Sequence, residues 1–332
     1  MKKIKFFIFI LFFTSNFSYV KANDEFDKWK LSFKNYALNQ GVSLTTLNKL
    51  IDKSNFLPDV IKYDRYQPEF YEDTRTYISK RTSNKKVKTG NKIYKNNIDK
   101  VNLISNEFKV DKSLLFSLMG IETNFGNYLG KMDIISSLAT LSFDKRRSDF
   151  FTSELITLLK LIDNNTLDPN TLYGSWAGAF GNFQFMPSTI KTYAIDFDND
   201  GKINLKGTDD SFASAANYLN QLGWKNNQPC FYKINLHNNI PEEYLNVSAK
   251  RIHNYKKVSY LKNYIENSNF LSVYDNLNAA IITPDAEIVE NSNKLFPAYI
   301  VFNNYELILK WNRSLRFALA VCTLKDKFKN VF

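Results

Sequence analysis

The chain is poor in the residues that bind transition metals or close disulfide bonds. It contains two histidines, His237 and His253, and two cysteines, Cys230 and Cys322. The histidines lie in a polar region without the spacing of metal ligands, so a Cys/His metal centre is excluded. A glycine-rich phosphate loop is also absent, which excludes the common nucleotide-binding motifs. The cysteines are far apart in sequence, so a bridge between them stays open even in an oxidising compartment.

Long apolar runs are scarce as well. Only the run Phe6–Phe13 stands out, and it is too short to span a bilayer. Three lysines precede it, and Ala22 offers a small residue before a cut at Asn23. This pattern predicts a secretory signal peptide over residues 1–22 and hence an exported protein. An uncleaved N-terminal anchor stays open and would be the only attachment to a membrane.

Acidic residues are fewer than basic ones. The sequence has 44 Lys and Arg against 33 Asp and Glu, for a net charge of +11, and the predicted signal peptide holds four of the lysines. A basic exported chain favours an anionic polymer or surface as its partner. The other explanation is a composition rich in Lys, Asn and Ile throughout, and both stay open. No nucleic-acid partner is predicted.

Hydrophobic periodicity predicts a mainly α chain of the α+β class. Residues 149–163 carry an apolar stripe at helical spacing, and Pro187 suits the first turn of a helix that runs to Ala194. Residues 63–70 are predicted to be extended, and from residue 225 onward the shorter apolar runs predict loops and short strands. Further helices are predicted over residues 24–56, as a pair, and over 93–108, 209–222 and 313–328.

One acidic residue stands out at the end of an apolar segment. Leu115, Leu118 and Glu122 are spaced by three and four residues, so they share one face of a helix for which Asp111 is a suitable N-cap. That face is expected to point inward, which removes water from the Glu122 carboxyl group and raises its pKa. A carboxylic acid that keeps its proton near neutral pH can act as a general acid on a glycosidic bond. The alternative is a solvated glutamate at a helix end, and the neighbouring motifs decide against it.

Four segments occur in a defined order around this residue. They are Gly120–Gly126, Leu138–Arg147, Gly174–Ser188 and Lys310–Ser314. The third contains Gly-Ser-Trp-Ala-Gly-Ala followed by Gln-Phe-Met-Pro-Ser, which is highly specific in this order and at this distance. With these motifs the chain closely resembles the membrane-bound lytic murein transglycosylase B family, whose members cut the glycan strands of bacterial cell walls. The resemblance runs from about residue 26 to the C-terminus.

The resemblance implies a lysozyme-like helical domain with a small β-containing insertion lobe. After the signal peptide, the expected segments are an N-terminal helical part (23–110), the catalytic core (111–224), a small mixed or β lobe (225–300) and a C-terminal segment that completes the cleft (301–332).

By the same resemblance, Glu122 is the single catalytic residue. It protonates the glycosidic oxygen between N-acetylmuramic acid and N-acetylglucosamine, while the muramoyl N-acetyl group stabilises the developing cation. Glu122 then takes a proton from the C6 hydroxyl of the same sugar, which attacks C1 and leaves a 1,6-anhydro end without using water. The family thus implies a periplasmic protein, expected to be a monomer, that acts on peptidoglycan glycan strands.

Other positions follow the family pattern as substrate contacts. Gln184 is expected to bind the sugar or its N-acetyl group, and Ser175 stands where the family has a hydroxyl near the glutamate. Arg146 and Arg147 match an arginine pair that faces the peptide-bearing strand, since their forked donors suit carboxylates. The alternative for that pair is a solvated helix start.

Four more residues match cleft positions of the family. Asn312 corresponds to a cleft asparagine, and Tyr77 and Tyr218 to cleft tyrosines, although the neighbourhood of Tyr77 matches poorly. Trp311 stands where the well-known bacterial member has tyrosine, so ring stacking is retained while a polar contact stays open.

An acidic loop at Asp196–Asn204 resembles the start of an EF-hand. It has oxygens at alternate positions and a glycine for the sharp turn, but the usual later glutamate is missing. The family has a similarly modified loop with a later aspartate, here Asp210. A structural Ca²⁺ ion is therefore expected, and the alternative is a turn with solvated acids. Its expected ligands are Asp196, Asp198, Asp200, the backbone carbonyl of Lys202 and Asp210.

Two other functions stay open. A hydrolytic muramidase on the same scaffold needs a water site and usually a second carboxylate, for which Asp133 and Asp144 are the nearest acids in sequence. An inactive wall-binding protein is disfavoured by the presence of Glu122, Gln184 and Asn312. The sequence does not decide between endo- and exo-cleavage, or whether stem peptides or partner proteins are needed.

Overall fold

The computed structural model describes residues 22–66, 71–286, 288–289 and 293–332. The predicted signal peptide lies outside the described residues except for Ala22, and so do residues 67–70 of the segment predicted to be extended. Within the described ranges, no helix combines the length and the apolar character needed to cross a bilayer.

The described chain is mainly helical, with short strands concentrated in its last third. The helices are α1 (22–39), α2 (Leu44–Thr46, continued by the π-helical turn Leu47–Ile51), α3 (Pro58–Arg65), α4 (Thr74–Arg81), α5 (Asn84–Asn96), α6 (Ile98–Phe108), α7 (Lys112–Glu122), α8 (Ile134–Phe143), α9 (Ser148–Asp163), α10 (Pro187–Tyr193), α11 (Thr208–Leu222), α12 (Val258–Leu261), α13 (Asn303–Trp311) and α14 (Leu315–Lys329). The strands are β1 (Met132–Asp133), β2 (Tyr173–Gly174), β3 (Phe231–Ile234), β4 (Leu245–Asn246), β5 (Lys256–Lys257), β6 (Asn278–Ile282) and β7 (Ala298–Val301).

The chain forms two compact units that interleave along the sequence. The first unit comprises residues up to Arg65, Leu129–Thr192 and Gly201–Ile203, and the second comprises Tyr66–Tyr128, Tyr193–Asp200 and Asn204–Phe332. The sequence-based boundaries near residues 110, 224 and 300 divide the chain into consecutive segments and stay a prediction.

The first unit is built around the pair α8 and α9, which pack against each other. The apolar stripe predicted for α9 is buried, as the pattern of its hydrophobic residues required. Asp163 at the end of α9 accepts hydrogen bonds from the Ser43 backbone N–H and hydroxyl, both at 2.7 Å, and so ties the start of α2 to α9. The strands β1 and β2 pair antiparallel beside α8.

The helical part of the second unit surrounds α7. Every residue from Ser113 to Gly120 is buried, because α5, α6, α11 and α14 all pack against this helix. A helix that is buried on all sides needs an apolar surface, which explains its nearly uncharged sequence. The Ser117 hydroxyl, which would otherwise be an unpaired polar group in this core, donates to the Val321 carbonyl of α14.

The β part of the second unit is one small sheet with strand order β3-β7-β6-β4, and β5 pairs with β6. The pairings are antiparallel except for β4 with β6. Short strands were predicted within residues 225–300, and the predicted α+β class is confirmed. A disulfide joins Cys230, just before β3, to Cys322 of α14, with the Cα atoms 6.2 Å apart. The structure thus forms the bridge that the sequence left open.

Two local predictions were wrong. The single helix predicted over 93–108 is instead α5 and α6, because Asn97 leaves the helical region (φ −133°) and its side chain donates to the Ile93 carbonyl at 3.0 Å. Residues 63–65 are helical rather than extended, since α3 continues to Arg65 and buries Asp64.

Candidate functional site

Glu122 is the last residue of α7, and the chain turns sharply beyond it. Asn124, Phe125 and Gly126 take left-handed conformations in succession, with φ of 49°, 60° and 80°. Thr123 is fully buried at the start of this turn, and its hydroxyl accepts the Gly126 N–H at 3.0 Å. The turn therefore leaves Glu122 half-buried at the end of an otherwise buried helix.

The Glu122 carboxylate is held by an aromatic side chain. The Trp311 indole N–H donates to Glu122 Oε1 at 3.0 Å. Trp311 ends α13, and its ring stacks on Tyr218 with centroids 5.0 Å apart and an interplanar angle of 26°. Tyr193 in turn stacks on Tyr218, with the ring centroids 4.2 Å apart. These three residues, Tyr193, Tyr218 and Trp311, form an aromatic stack that begins at Glu122, so the polar contact left open for Trp311 is present.

The middle ring of the aromatic stack is neutral over the physiological range. Burial raises the pKa of Tyr218 to about 12, and Tyr193 adds to the rise. The Tyr218 hydroxyl therefore stays protonated, and its O–H donates a hydrogen bond to the Lys310 carbonyl at 3.2 Å. The stack thus presents a neutral indole donor, supported by a neutral Tyr218 ring, to the carboxyl group of Glu122.

In the first unit, Ser175 and Gln184 belong to one tightly folded loop. The Ser175 hydroxyl accepts the Ala179 N–H at 3.1 Å, and Phe180 pairs with Phe185 as an isolated bridge. Gly178 has a φ of 86°, and a Cβ atom there would lie 2.4 Å from Leu138, so a side chain does not fit.

Gln184 is itself in a left-handed conformation, with a φ of 50°. Its amide nitrogen donates to the Gly181 carbonyl at 3.0 Å. The loop therefore fixes Gln184 through both its backbone and its side chain, which preorganises this half-buried residue.

Arg146 and Arg147 share one buried partner in the first unit. Arg146 Nε donates to Asp64 Oδ2 at 2.7 Å and Arg147 Nη2 donates to Oδ1, while the Asp64 side chain is only 1% exposed. A buried carboxylate requires such compensation. The two arginine side chains remain 44% and 40% exposed, and their role toward a substrate stays a prediction.

Tyr77 and Asn312 both lie in the second unit. Tyr77 is buried on α4, and the Arg81 guanidinium lies 3.5 Å from its ring centroid, a cation–π contact. Asn312 directly follows Trp311, is half-buried, and ends α13 by donating its N–H to the Ile308 carbonyl at 3.0 Å.

The acidic loop brings three carboxylates together. Oxygens of Asp196, Asp198 and Asp210 all lie within 4.8 Å of one another. Asp210 is 2% exposed and accepts the backbone N–H groups of Phe197 at 2.8 Å and Asn204 at 2.7 Å, which fix it at the loop's base. Loss of hydration raises the pKa of Asp198, and the surrounding carboxylates raise it further. The three carboxylates therefore repel one another at this point of the loop.

The tip of this loop is a tight turn with hydrogen bonds between its acidic residues. Asn199 and Gly201 are left-handed, with φ of 59° and 86°, and close the sharp turn. The Asp200 N–H donates to Asp196 at 3.2 Å and to Asp198 at 3.3 Å. Asp200 and Lys202 as metal ligands stay a prediction.

Two residues at these sites were missed by the sequence analysis. Tyr193 had only an indirect indication, because it ends the helix predicted from Pro187, and its stacking on Tyr218 depends on tertiary structure. Nothing in the sequence indicated a role for Asp64, because its segment was predicted to be extended.

A comparison with protein families identifies residues 25–326 as a transglycosylase SLT domain. Over 127 residues the chain is 42% identical to membrane-bound lytic murein transglycosylase B of Escherichia coli K12. That alignment covers 38% of this chain and 35% of the E. coli protein, so it spans about a third of that relative's length.

Solved structures share the fold. Pseudomonas aeruginosa SltB3, in complex with NAG-anhNAM-pentapeptide, matches with a TM-score of 0.79 and 30% identity over 92% of this chain and 79% of that one. Escherichia coli Slt35, in complex with calcium, matches with a TM-score of 0.75 and 26% identity over 91% and 92% of the two chains. These matches confirm the predicted lysozyme-like, mainly α fold with a β-containing part. With the family match spanning nearly the whole sequence, the chain belongs to the transglycosylase SLT domain family.

Proposed function

We propose that this protein is a lytic transglycosylase that cleaves the bond between N-acetylmuramic acid and N-acetylglucosamine in peptidoglycan without water. The observation that carries the proposal is the carboxylate of Glu122, held at the end of a buried helix by the Trp311 N–H at 3.0 Å. The similar E. coli protein bears the name of this activity, and P. aeruginosa SltB3 was solved with a glycan fragment that has an anhydro end.

The first step is protonation of the glycosidic oxygen by Glu122. A carboxyl group at this half-buried helix end can act as the general acid that this step needs. As the bond breaks, positive charge develops at C1 of the muramoyl sugar. The N-acetyl group of the same sugar stabilises it, which is a substrate-assisted route among glycosidases.

In the second step Glu122 acts as the base. Its carboxylate takes the proton of the muramoyl C6 hydroxyl, and the C6 oxygen attacks C1 to give the 1,6-anhydro end. The Trp311 N–H stabilises the carboxylate that proton donation leaves behind, so this hydrogen bond assists the first step, and it orients the carboxylate for the second. One residue is sufficient, since the substrate supplies both the stabilising group and the nucleophile.

The acids that a hydrolase would recruit have other contacts. Asp133 caps α8, accepting the Ser136 N–H at 2.6 Å, and Asp144 pairs with Arg65 at 2.8 Å. Both carboxylates thus have structural roles in the first unit, which favours the transglycosylase over the muramidase.

The remaining predicted site residues are proposed as substrate contacts. In the second unit these are Tyr77, Tyr218, Trp311 and Asn312, of which the half-buried Trp311 offers an aromatic surface suited to a sugar ring. In the first unit they are Ser175 and Gln184, held in the rigid loop, and Arg146 and Arg147. The arginine donors that Asp64 does not use are proposed to bind carboxylates of the peptide-bearing strand.

We also propose that the acidic loop binds Ca²⁺ as a structural ion. The donor set fits the ion, because Ca²⁺ takes carboxylate and carbonyl oxygens and three carboxylates already converge here. Asp196, Asp198 and Asp210 would hold it, together with Asp200 and the Lys202 carbonyl. When bound, the ion would offset the repulsion between these carboxylates and stabilise the loop before α11. The calcium complex of E. coli Slt35 supports this proposal.

The location follows from the N-terminal pattern. We propose export through a cleaved signal peptide to the periplasm, where peptidoglycan lies, and action there as a monomer. Membrane association requires that the signal peptide stay uncleaved.

Mass spectrometry of the soluble products from purified sacculi tests the function directly. Muropeptides that end in 1,6-anhydro-N-acetylmuramic acid are expected. Reducing ends, heavier by one water, would mean hydrolysis, and no release in the presence of calcium would favour the wall-binding protein.

A further inference from the structure

A lysine from a neighbouring helix holds the last turn of α7. Lys86 is a half-buried residue of α5, and its ammonium donates to the carbonyl oxygen of Gly120, two residues before Glu122. Carbonyls in the last turn of a helix lack an intrahelical partner and carry the negative end of the helix dipole. A lysine ammonium satisfies both needs at this position.

The backbone of Lys86 is itself fixed. Ser83 is the N-cap of α5, and its hydroxyl accepts the Lys86 N–H at 3.4 Å. Lys86 and Gly90 lie four residues apart and therefore share the face of α5 that packs against α7.

The residues next to Glu122 are closely packed. The Phe125 ring lies against both Gly90 and Gly120, and a Cβ atom at these glycines would approach it to 3.0 Å and 2.7 Å. The distance at Gly120 is shorter than real Cβ contacts, so a side chain there would require the Phe125 ring to move. The lysine bond adds a directional contact to this packing.

The partly buried position of Lys86 disfavours its charged form. Burial lowers the pKa of Lys86, and Arg81 lowers it further. The bond to Gly120 offsets this effect, because it is charge-assisted and complements the helix dipole.

We propose that Lys86 is a positioning residue for Glu122. It fixes the last turn of α7, from which the Glu122 side chain projects, while Trp311 fixes the carboxylate at the other end of that side chain. Lys86 itself touches neither the substrate nor the transferred proton. The proposal rests on the catalytic role of Glu122 stated above. The position of the Glu122 carboxyl group matters for the rate, since a displacement of 1 Å at a reacting group can cost about 100-fold in rate.

Lys327 provides a matched control in the same unit. Its ammonium donates to the carbonyl of Thr82, the C-cap of α4, so it makes the same kind of contact at another helix end. Lys86→Met and Lys327→Met each remove one such bond. Lys86→Arg keeps the charge and the donor and is the conservative variant.

The test measures kcat and KM on soluble glycan strands, the melting temperature, and hydrogen–deuterium exchange over residues 119–126. Lys86→Met is expected to lower kcat by about 10-fold or more with little change in KM, because geometry rather than binding is lost. Exchange over 119–126 should increase, and Lys86→Arg should restore most of kcat. Lys327→Met is expected to lower the melting temperature to a similar degree, with kcat and exchange over 119–126 unchanged.

Equal kcat values for Lys86→Met and Lys327→Met, with unchanged exchange over 119–126, would overturn the proposal. A failure of the proposed function is distinguishable, because the wild-type protein would then release no 1,6-anhydro products, or Glu122→Gln would retain the wild-type activity. In that case the exchange comparison still decides whether Lys86 holds the turn.

Discussion

Glu122 depends on two kinds of neighbour, one for its backbone and one for its carboxyl group. The left-handed turn and the buried Thr123 end α7 at this residue, and the Trp311 indole orients Oε1. The helical spacing and the motifs were enough to predict Glu122 from the sequence. The hydrogen bond from Trp311 was not predictable, because it depends on where α13 ends relative to α7. The contacts of Asp64 with two arginines were not predictable either, because they also depend on long-range packing.

Replacing Trp311 tests the orientation of the carboxylate. Trp311→Phe keeps a ring on Tyr218 but removes the N–H donor, so we expect kcat to fall by about 10-fold, the equivalent of one charge-assisted hydrogen bond of ~1.4 kcal/mol. Trp311→Tyr offers a hydroxyl donor and should retain more activity. The matched control is Trp29→Phe in the first unit, whose indole lies among Phe26 and Phe33. Equal activity of Trp311→Phe and Trp29→Phe would remove the indole bond from the mechanism.

The elements with strong local patterns were predictable, and those decided by tertiary contacts were not. The amphipathic pattern predicted α9, and Pro187 predicted α10, because both depend on neighbours within one helix. The division between α5 and α6 was missed, since Asn97 breaks the helix without a Gly or Pro to indicate it. The helical end of α3 was missed because it is stabilised by contacts of Asp64 with distant arginines.

The acidic loop makes a prediction about metal removal. Chelation of Ca²⁺ should lower the melting temperature, because the carboxylates of Asp196, Asp198 and Asp210 then repel one another without compensation. Asp210→Asn should abolish the calcium-dependent part of the stability. Asp209→Asn is the control, since Asp209 instead pairs with Lys100 near the surface. A melting temperature that calcium does not change in the wild-type protein would contradict the proposed site.

Across the second unit, the disulfide joins the β part to the helical part. It connects residues 92 apart in sequence, and both cysteines are buried. A loop of this length loses much conformational freedom in the unfolded chain when it is closed. The sequence could offer the pairing only as a possibility, because nothing local places β3 beside α14.

Removing this disulfide should destabilise the protein. The double variant Cys230→Ala/Cys322→Ala is expected to lose about 2–5 kcal/mol of the free energy of unfolding. Chemical denaturation with and without a reductant measures it, and the reductant should weaken the wild-type protein but leave the variant unchanged. If reductant and variant both leave the unfolding midpoint at its wild-type value, the bridge does not stabilise the molecule.

The most direct test is the rate at which the Glu122→Gln variant releases 1,6-anhydro muropeptides from sacculi. The amide keeps the shape of the side chain but can neither give up nor accept the catalytic proton, so we expect a loss of about 100-fold to 10,000-fold. Glu107→Gln, an exposed position on α6, is the control and should match the wild-type protein. A Glu122→Gln variant that is folded and releases anhydro products at the wild-type rate would contradict the assignment of Glu122 as the single acid and base.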